Sequence, residues 1–270
     1  MTAFSGQDQT VRLGSLETGW RESGAGARGT VLALHGLGLD RAAFDPLGAA
    51  LPNGWRLVSY DQRGHGEAAH SIPDSLESLV EDARRAIAHA GGQVHLLGHS
   101  MGGAVAALAA ARSDAVLSLT LIATPSRGFP EFAWRGEAAT QAGMNAVLPP
   151  TLSRWFGPDW ETAAPSCAVS YASTALRAMR PQGWAAAWRA LASFEGFEAL
   201  VVPARPSLAL AAEDDLSTPP HSMEPIALAW EHAGARLARQ VLARGGHLLP
   251  VTQPDALAAY LPAHWTAATR

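Results

Sequence analysis

The chain predicts an α/β fold: a mostly parallel sheet flanked by helices, with an inserted helical cap. Three observations predict it. Short apolar runs alternate with stretches of helical character from Thr30 onward, and strand alternating with helix implies a parallel sheet. Candidate reactive residues sit at the ends of those apolar runs, where ligands bind in such sheets. The alternation breaks after Pro125 and resumes at Ser207.

The elements follow in order. Residues 11–13 and 19–22 read as an antiparallel opening hairpin, 30–34 as a strand, 42–51 as a short helix and 56–60 as the next strand. Leu76, Leu79, Val80, Ala83 and Ile87 recur at helical spacing after Asp74-Ser75, which marks an amphipathic helix with a polar start. Residues 94–97 form a strand, 104–111 the helix behind it, and 117–123 another strand. Residues 125–200 are helical in composition but interrupted by Pro149-Pro150, Pro158, Pro165 and Pro181, and are expected to form a cap inserted after the sixth strand. The sheet resumes at 207–211, with helices near 225–233 and 254–264. The expected division is therefore a core of residues 1–124 and 201–270 and a cap, or lid, of 125–200.

Gly98-His99-Ser100-Met101-Gly102 is a G-x-S-x-G pentapeptide between an apolar run and a small-residue run. That context reads strand, sharp turn, helix. A serine on such a strained turn projects its hydroxyl outward as a nucleophile. Any Cβ on the flanking glycines would collide with the neighbouring strand and helix. The Met101 N–H, at the start of the helix, is placed to hold a developing oxyanion.

Three further stretches complete the pattern. The run from Val31 to Leu34 ends in His35-Gly36-Leu37-Gly38, and Leu37 N–H is the candidate second oxyanion donor. His35 precedes the nucleophile and is read as a structural histidine of its own loop. Downstream, a strand enters the acidic turn Glu213-Asp214-Asp215, closed by Pro219-Pro220. Last, His247 sits in the loop Arg244-Gly245-Gly246-His247-Leu248 after another strand. The order serine, acid, histidine matches a nucleophile–base–orienter system. His65, His95 and His99 compete with His247 by type. His99 adjoins the serine and should point away from it, and His95 lies inside a strand.

On these motifs the chain resembles the α/β-hydrolase superfamily over nearly its whole length. Tyr60-Asp61-Gln62-Arg63-Gly64-His65-Gly66 resembles the D-x-R-G-H-G loop common after that fold's fourth strand, which implies that Asp61 and Arg63 pin the loop. The cap region is most similar to the 3-oxoadipate enol-lactonase branch. The similarity rests on Arg154-Trp155-Phe156, on Met179 to Trp184, on Ala190 to Glu195 and on Asp215 to Pro220. It implies Asp215 as the acid, four residues before Pro219, with Glu213 and Asp214 as exposed turn residues. Two places depart from that branch: the oxyanion loop, where the lactonase tends to show S-N-S-L-G, and His99, where it tends to show Leu. The departures lean towards a general esterase or a relative with another substrate.

The function implied is a serine hydrolase that cleaves a carboxylic ester or lactone through an acyl-enzyme, with Ser100, Asp215 and His247 as the triad. Other readings of the same site are a C–C bond hydrolase or a thioesterase. A different class would be a cofactor-free oxygenase, or a protein that binds a small molecule without turnover. A complete triad argues against the last.

Composition bounds the rest. The chain has 270 residues, 48% hydrophobic and 16% charged, with a net charge of −4. Mild acidity argues against nucleic acid or an anionic membrane as a partner. All 20 basic residues are arginine, so Schiff-base chemistry on lysine is excluded. No metal-ligand spacing occurs, and neither a metal nor another cofactor is expected. Cys167, the single cysteine, suits a reducing compartment and reads as a small buried apolar residue. Residues 1–8 lack a basic and apolar leader, and no run approaches membrane-spanning length, so a cytoplasmic location is expected. The cap holds Trp134, Trp155, Trp160, Trp184 and Trp188, five of the chain's nine tryptophans. Most should be cap core, with Trp134 and Trp155 facing an apolar or aromatic substrate. Arg127 and Arg135 are candidates for a substrate carboxylate, but solvated roles are favoured for both. Oligomeric state stays open.

Overall fold

The apolar runs assemble into an eight-stranded sheet in the order β1-β2-β4-β3-β5-β6-β7-β8. Its strands are β1 (Gln7–Leu13), β2 (Leu16–Ser23), β3 (Gly29–Leu34), β4 (Trp55–Tyr60), β5 (Val94–His99), β6 (Val116–Ile122), β7 (Ser207–Ala212) and β8 (Leu237–Leu242). The computed structural model describes residues 6–202 and 204–268. Met1 to Ser5, which carry most of the leader reading, lie outside them. β1 pairs with β2, and β2 with β4, antiparallel; every pairing from β4 through β8 is parallel. The hairpin is longer than expected from the sequence because β1 is polar and largely exposed, so it carries no apolar signal.

β5 lies between β3 and β6 and is buried along its whole length, as is β7. Strands covered on both faces carry continuous apolar runs rather than alternation. The helices are α1 (Asp45–Ala50), α2 (Leu76–His89), α3 (Met101–Ala110), α4 (Pro130–Ala142), α5 (Met144–Phe156), α6 (Trp160–Ala163), α7 (Ser166–Ala178), α8 (Pro181–Ala192), α9 (Met223–His232), α10 (Leu249–Thr252) and α11 (Pro254–Ala267). α2 starts where Ser75 Oγ accepts the Ser78 N–H at 3.2 Å, a cap worth about 1 kcal/mol. Its Leu76, Leu79, Val80, Ala83, Ala86 and Ile87 are buried. α3 is buried nearly all round, which fits its run of small apolar residues. Trp265 of α11 packs edge-on against Trp55, and both rings lie by His95.

The helix expected at 42–51 is a 3-10 turn, Arg41–Phe44, followed by α1. Pro46 has no N–H to continue the earlier turn, so the helix restarts there. Helices α4 to α8 fill the segment between β6 and β7, the stretch expected to form a cap. Leu148, Leu152, Trp155 and Trp184 of these helices join one connected apolar core with the sheet. Tyr171 of α7 also donates its hydroxyl to Asp40 Oδ1, in the loop after β3, at 2.9 Å. Cys167 is corrected: it lies exposed on α7, because Ala168, Ala172, Ala175 and Leu176 set that helix's inward face. No described helix is long and apolar enough to cross a membrane.

Candidate active site

Ser100 sits between β5 and α3 with φ 52° and ψ −119°, a strained backbone for a residue with a side chain. The glycines around it make this possible. A Cβ at Gly98 would strike the Gly102 carbonyl and Gly103 Cα, and one at Gly102 would strike the Leu34 carbonyl. The helix start therefore packs directly on the end of β3.

Three side chains converge there. Ser100 Oγ lies 3.0 Å from His247 Nε2, and His247 Nδ1 lies 2.9 Å from Asp215 Oδ2. They come from the turn after β5, the loop after β8 and the turn after β7, all at the carboxyl ends of strands. Asp215 Oδ1 accepts the N–H groups of Ser217 at 2.7 Å and Thr218 at 2.9 Å. The Thr218 hydroxyl lies 2.8 Å from Asp215 Oδ2 and 2.9 Å from the Ala123 carbonyl. Burial would raise the Asp215 pKa, but His247 and the Thr218 donors outweigh it and hold the carboxyl at about 2. A charged Asp215 accepts from Nδ1–H and so leaves Nε2 free to accept from serine.

The His247 backbone is held on both sides. Its N–H donates to the Trp155 carbonyl at 2.8 Å. Its carbonyl accepts from His99 Nε2–H at 2.8 Å. Burial, then repulsion from His247, pushes the His99 pKa down to about 3, so that ring is a neutral strut. His99 thus bonds the main chain of His247, the residue opposite Ser100.

Two more neutral histidines shape the loop after β3. His35 Nδ1–H donates to the Gly36 carbonyl at 2.9 Å, and its Nε2 accepts the Gln62 N–H at 3.0 Å. His65 Nδ1–H donates to the Arg63 carbonyl at 2.9 Å, and its Nε2 accepts the Gly38 N–H at 3.1 Å. Burial lowers the pKa to about 4 for His35 and, with repulsion from His35, to about 3 for His65. The Leu37 and Met101 amides meet no acceptor among the described residues. Asp61 accepts from the Arg41 and Glu67 amides at 2.8 Å each and from the Arg41 guanidinium, while Arg63 Nε donates to Asp82 at 2.5 Å. Both residues pin the loop after β4, as the resemblance implied.

Side chains of α5, α7 and α8 pack against the loop after β3. A Cβ at Gly38 would lie 2.9 Å from Leu176, 3.0 Å from Trp184 and 3.1 Å from Trp155. Trp155 is 5% exposed, and its ring lies 6.3 Å from the His247 ring at an interplanar angle of 24°. The sequence offers Trp184 only as one of the five tryptophans of residues 125–200 and does not single out Leu176. Their helical spacing marks only an inward face, and nothing local says which neighbour that face meets.

The expectation for Trp134 is corrected. It is 69% exposed, because Phe132, Gly136 and Ala139 set the inward face of α4 and a residue two positions from Phe132 points outward. Arg127 pairs with Glu198 at 3.3 Å on the surface. The Arg135 guanidinium lies 5.3 Å from the ring centres of both Phe132 and Trp188. Among the described residues, no group of three or more His, Cys, Asp or Glu side chains is placed to hold a metal ion.

Residues 29–254 match the family described as alpha/beta hydrolase fold. Among curated proteins, 3-oxoadipate enol-lactonase 1 of Acinetobacter baylyi is 30% identical over 185 residues, covering 67% of this chain and 69% of its own length. The pimeloyl-[acyl-carrier protein] methyl ester esterase of Neisseria meningitidis serogroup A is 37% identical over 98 residues. That match spans 36% of this chain and only 30% of the esterase. Among solved structures, the enol-lactonase from Burkholderia xenovorans superposes with a TM-score of 0.82 at 25% identity, covering 96% of this chain and all of that one.

Proposed function

The chain belongs to the α/β-hydrolase family and is related to its 3-oxoadipate enol-lactonase branch, and from that premise we propose that it is a serine hydrolase of carboxylic esters or lactones. The observation that carries the reading is the continuous run from Ser100 Oγ through both His247 nitrogens to Asp215. The enol-lactonase and ester esterase relatives support the bond type.

The steps follow from the geometry. His247 Nε2 takes the Ser100 hydroxyl proton as Oγ bonds to the substrate's carbonyl carbon. The carbonyl π pair moves onto oxygen, and the Leu37 and Met101 N–H groups hold that charge. Each such donor is worth about 3 kcal/mol in the transition state. Asp215 stabilises the imidazolium and fixes its tautomer. Collapse expels the leaving oxygen, which takes the proton from His247. In a lactone the leaving oxygen stays attached to the acyl chain. Water, deprotonated by His247, then attacks the acyl-enzyme and returns Ser100 with its proton. No step needs a cofactor.

The cap, residues 125–200, forms the acyl-side wall over a core of 1–124 and 201–270. Trp155, Trp184 and Leu176 give that wall an apolar, aromatic character, which favours an apolar or aromatic small-molecule substrate. The single cysteine and the mild acidity support a reducing, cytoplasmic setting without a nucleic-acid partner.

The test is a fluorophosphonate label with peptide mapping, beside turnover of short aryl esters and lactones. The label is expected on Ser100, with turnover unchanged by chelator or by removal of oxygen, and both lost in Ser100→Ala. A label mapped elsewhere, or strict oxygen dependence, would overturn the reading.

A further inference from the structure

The turn after β7 carries two adjacent aspartates with different tasks. Asp215 faces the His247 ring. Asp214 faces the main chain just before it: its Oδ1 accepts the Gly246 N–H at 2.8 Å and its Oδ2 lies 3.3 Å from the Gly245 N. Two consecutive backbone N–H groups directed at one carboxylate make a small anion nest. Charge-assisted bonds of this kind are stronger than neutral ones.

The loop that carries His247 is anchored at His247 itself by the Trp155 carbonyl and His99, and Asp214 adds an anchor at the two glycines before it. Gly245 and Gly246 have φ of 133° and 59°, values that suit glycine, and glycine leaves the backbone many alternatives. The Thr252 hydroxyl holds the Gly245 carbonyl at 2.7 Å from one side. On another side lies a cavity of about 230 Å³, lined by Asp214, Gly245, Gly246, Phe156 and Gln253 among others. The loop therefore has room to move where Asp214 now holds it. His247 Nε2 stands 3.0 Å from Ser100 Oγ, so a small shift of the loop removes the proton-transfer contact.

We infer that Asp214 is a positioning residue: its carboxylate fixes the main chain at Gly245 and Gly246 and thereby sets where the His247 imidazole stands relative to Ser100. The inference rests on the reading of His247 as the general base. It assigns the adjacent acids separate duties, one on the ring and one on the chain that carries it.

The experiment compares Asp214→Ala, Asp214→Asn and Glu213→Ala with the wild type. Asp214→Ala is expected to lower kcat about tenfold with KM within about twofold, since displacement of a reacting group acts on the chemical step. The rate of fluorophosphonate labelling should fall in step. Asp214→Asn retains an oxygen acceptor for the Gly246 N–H and should recover kcat to within about threefold of the wild type. Glu213→Ala, in the same exposed turn, should match the wild type. A proton NMR spectrum supplies a readout without substrate: the low-field Nδ1–H signal of His247 should broaden in Asp214→Ala and persist in Asp214→Asn. The inference is overturned by a wild-type kcat in Asp214→Ala, by an equal loss in Glu213→Ala, or by failure of Asn to rescue. Should Asp214→Ala not fold, Asp214→Val, which likewise lacks an acceptor for the Gly246 N–H, takes its place with the same expected and overturning values. His247→Ala separates the two readings. If it keeps wild-type turnover, His247 is not the base; if it is inactive while Asp214→Ala is normal, only the positioning role fails.

Discussion

The Trp155 carbonyl accepts the His247 N–H at 2.8 Å, and the Trp155 indole lies along the His247 ring. One residue of α5 therefore meets the proposed base through its main chain and lies alongside it with its ring. These two contacts separate under substitution, because only the indole is lost in an alanine variant.

Trp155→Ala is accordingly expected to keep fluorophosphonate labelling of Ser100 while changing kcat/KM unequally across an acyl-chain series. A pocket-lining indole should alter discrimination by about 1–3 kcal/mol. Trp134→Ala, on the exposed face of α4, should leave the same series unchanged. Equal effects of the two variants would remove Trp155 from the acyl wall.

Asp215→Asn should lower kcat by roughly 10⁴, because the amide favours the wrong imidazole tautomer. Steady-state kinetics on an aryl ester checks it. A loss of less than about tenfold would assign the orienting role elsewhere.

The buried histidines predict an acid limb in stability. An imidazole with a depressed folded pKa binds fewer protons than the unfolded chain below a pH of about 6.5. Its contribution is complete above that value and is lost as pH falls, towards about 4 for His35 and about 3 for His65. Asp215 titrates lower, so its contribution is lost only below its ordinary value near 3.8. Each fully buried imidazole should cost about 1.4 kcal/mol per pH unit between pH 6 and 4. His65→Gln keeps an acceptor for the Gly38 N–H and removes one such group. Urea unfolding at pH 7, 6 and 5 should show a shallower loss in the variant. Identical slopes would count against a neutral His65.

Gly102→Ala tests the elbow by sign. Alanine improves intrinsic helix propensity by up to about 1 kcal/mol. Its Cβ would also strike the Leu34 carbonyl, which is main chain in the sheet and cannot move aside. The variant should be destabilised by more than about 2 kcal/mol in thermal or urea unfolding. A rise in Tm would show that α3 and β3 are less tightly packed than described.

Strand and helix order were legible in the sequence because parallel strands buried on both faces leave plain apolar runs, as in β5 and β7. β1 was legible only at its end, since an exposed edge strand has no such run. Ser100, His247 and the acidic turn were placed by local motifs whose geometry is nearly self-contained. What escaped was long-range. Trp134 was misplaced because the inward face of α4 is set by Phe132 and two small residues, a faint apolar signal, and the inward spacing of Trp184 does not say which neighbour it meets. Asp214 was legible as an exposed turn residue, but not as a partner of Gly245 and Gly246, 31 and 32 positions away. His65 carried a family motif without revealing that it grips Gly38.

The strain at Ser100 is imposed by neighbours rather than by the serine itself: glycines at 98 and 102 let β5, α3 and β3 approach, and the turn between them has nowhere else to go. Position 100 thus behaves as a socket. Whichever L-residue occupies it inherits the same outward projection, the same imidazole opposite and the same helix start beneath. A change of the proposed nucleophile, such as Ser100→Cys, is then a change of chemistry at one atom, with no new backbone to evolve.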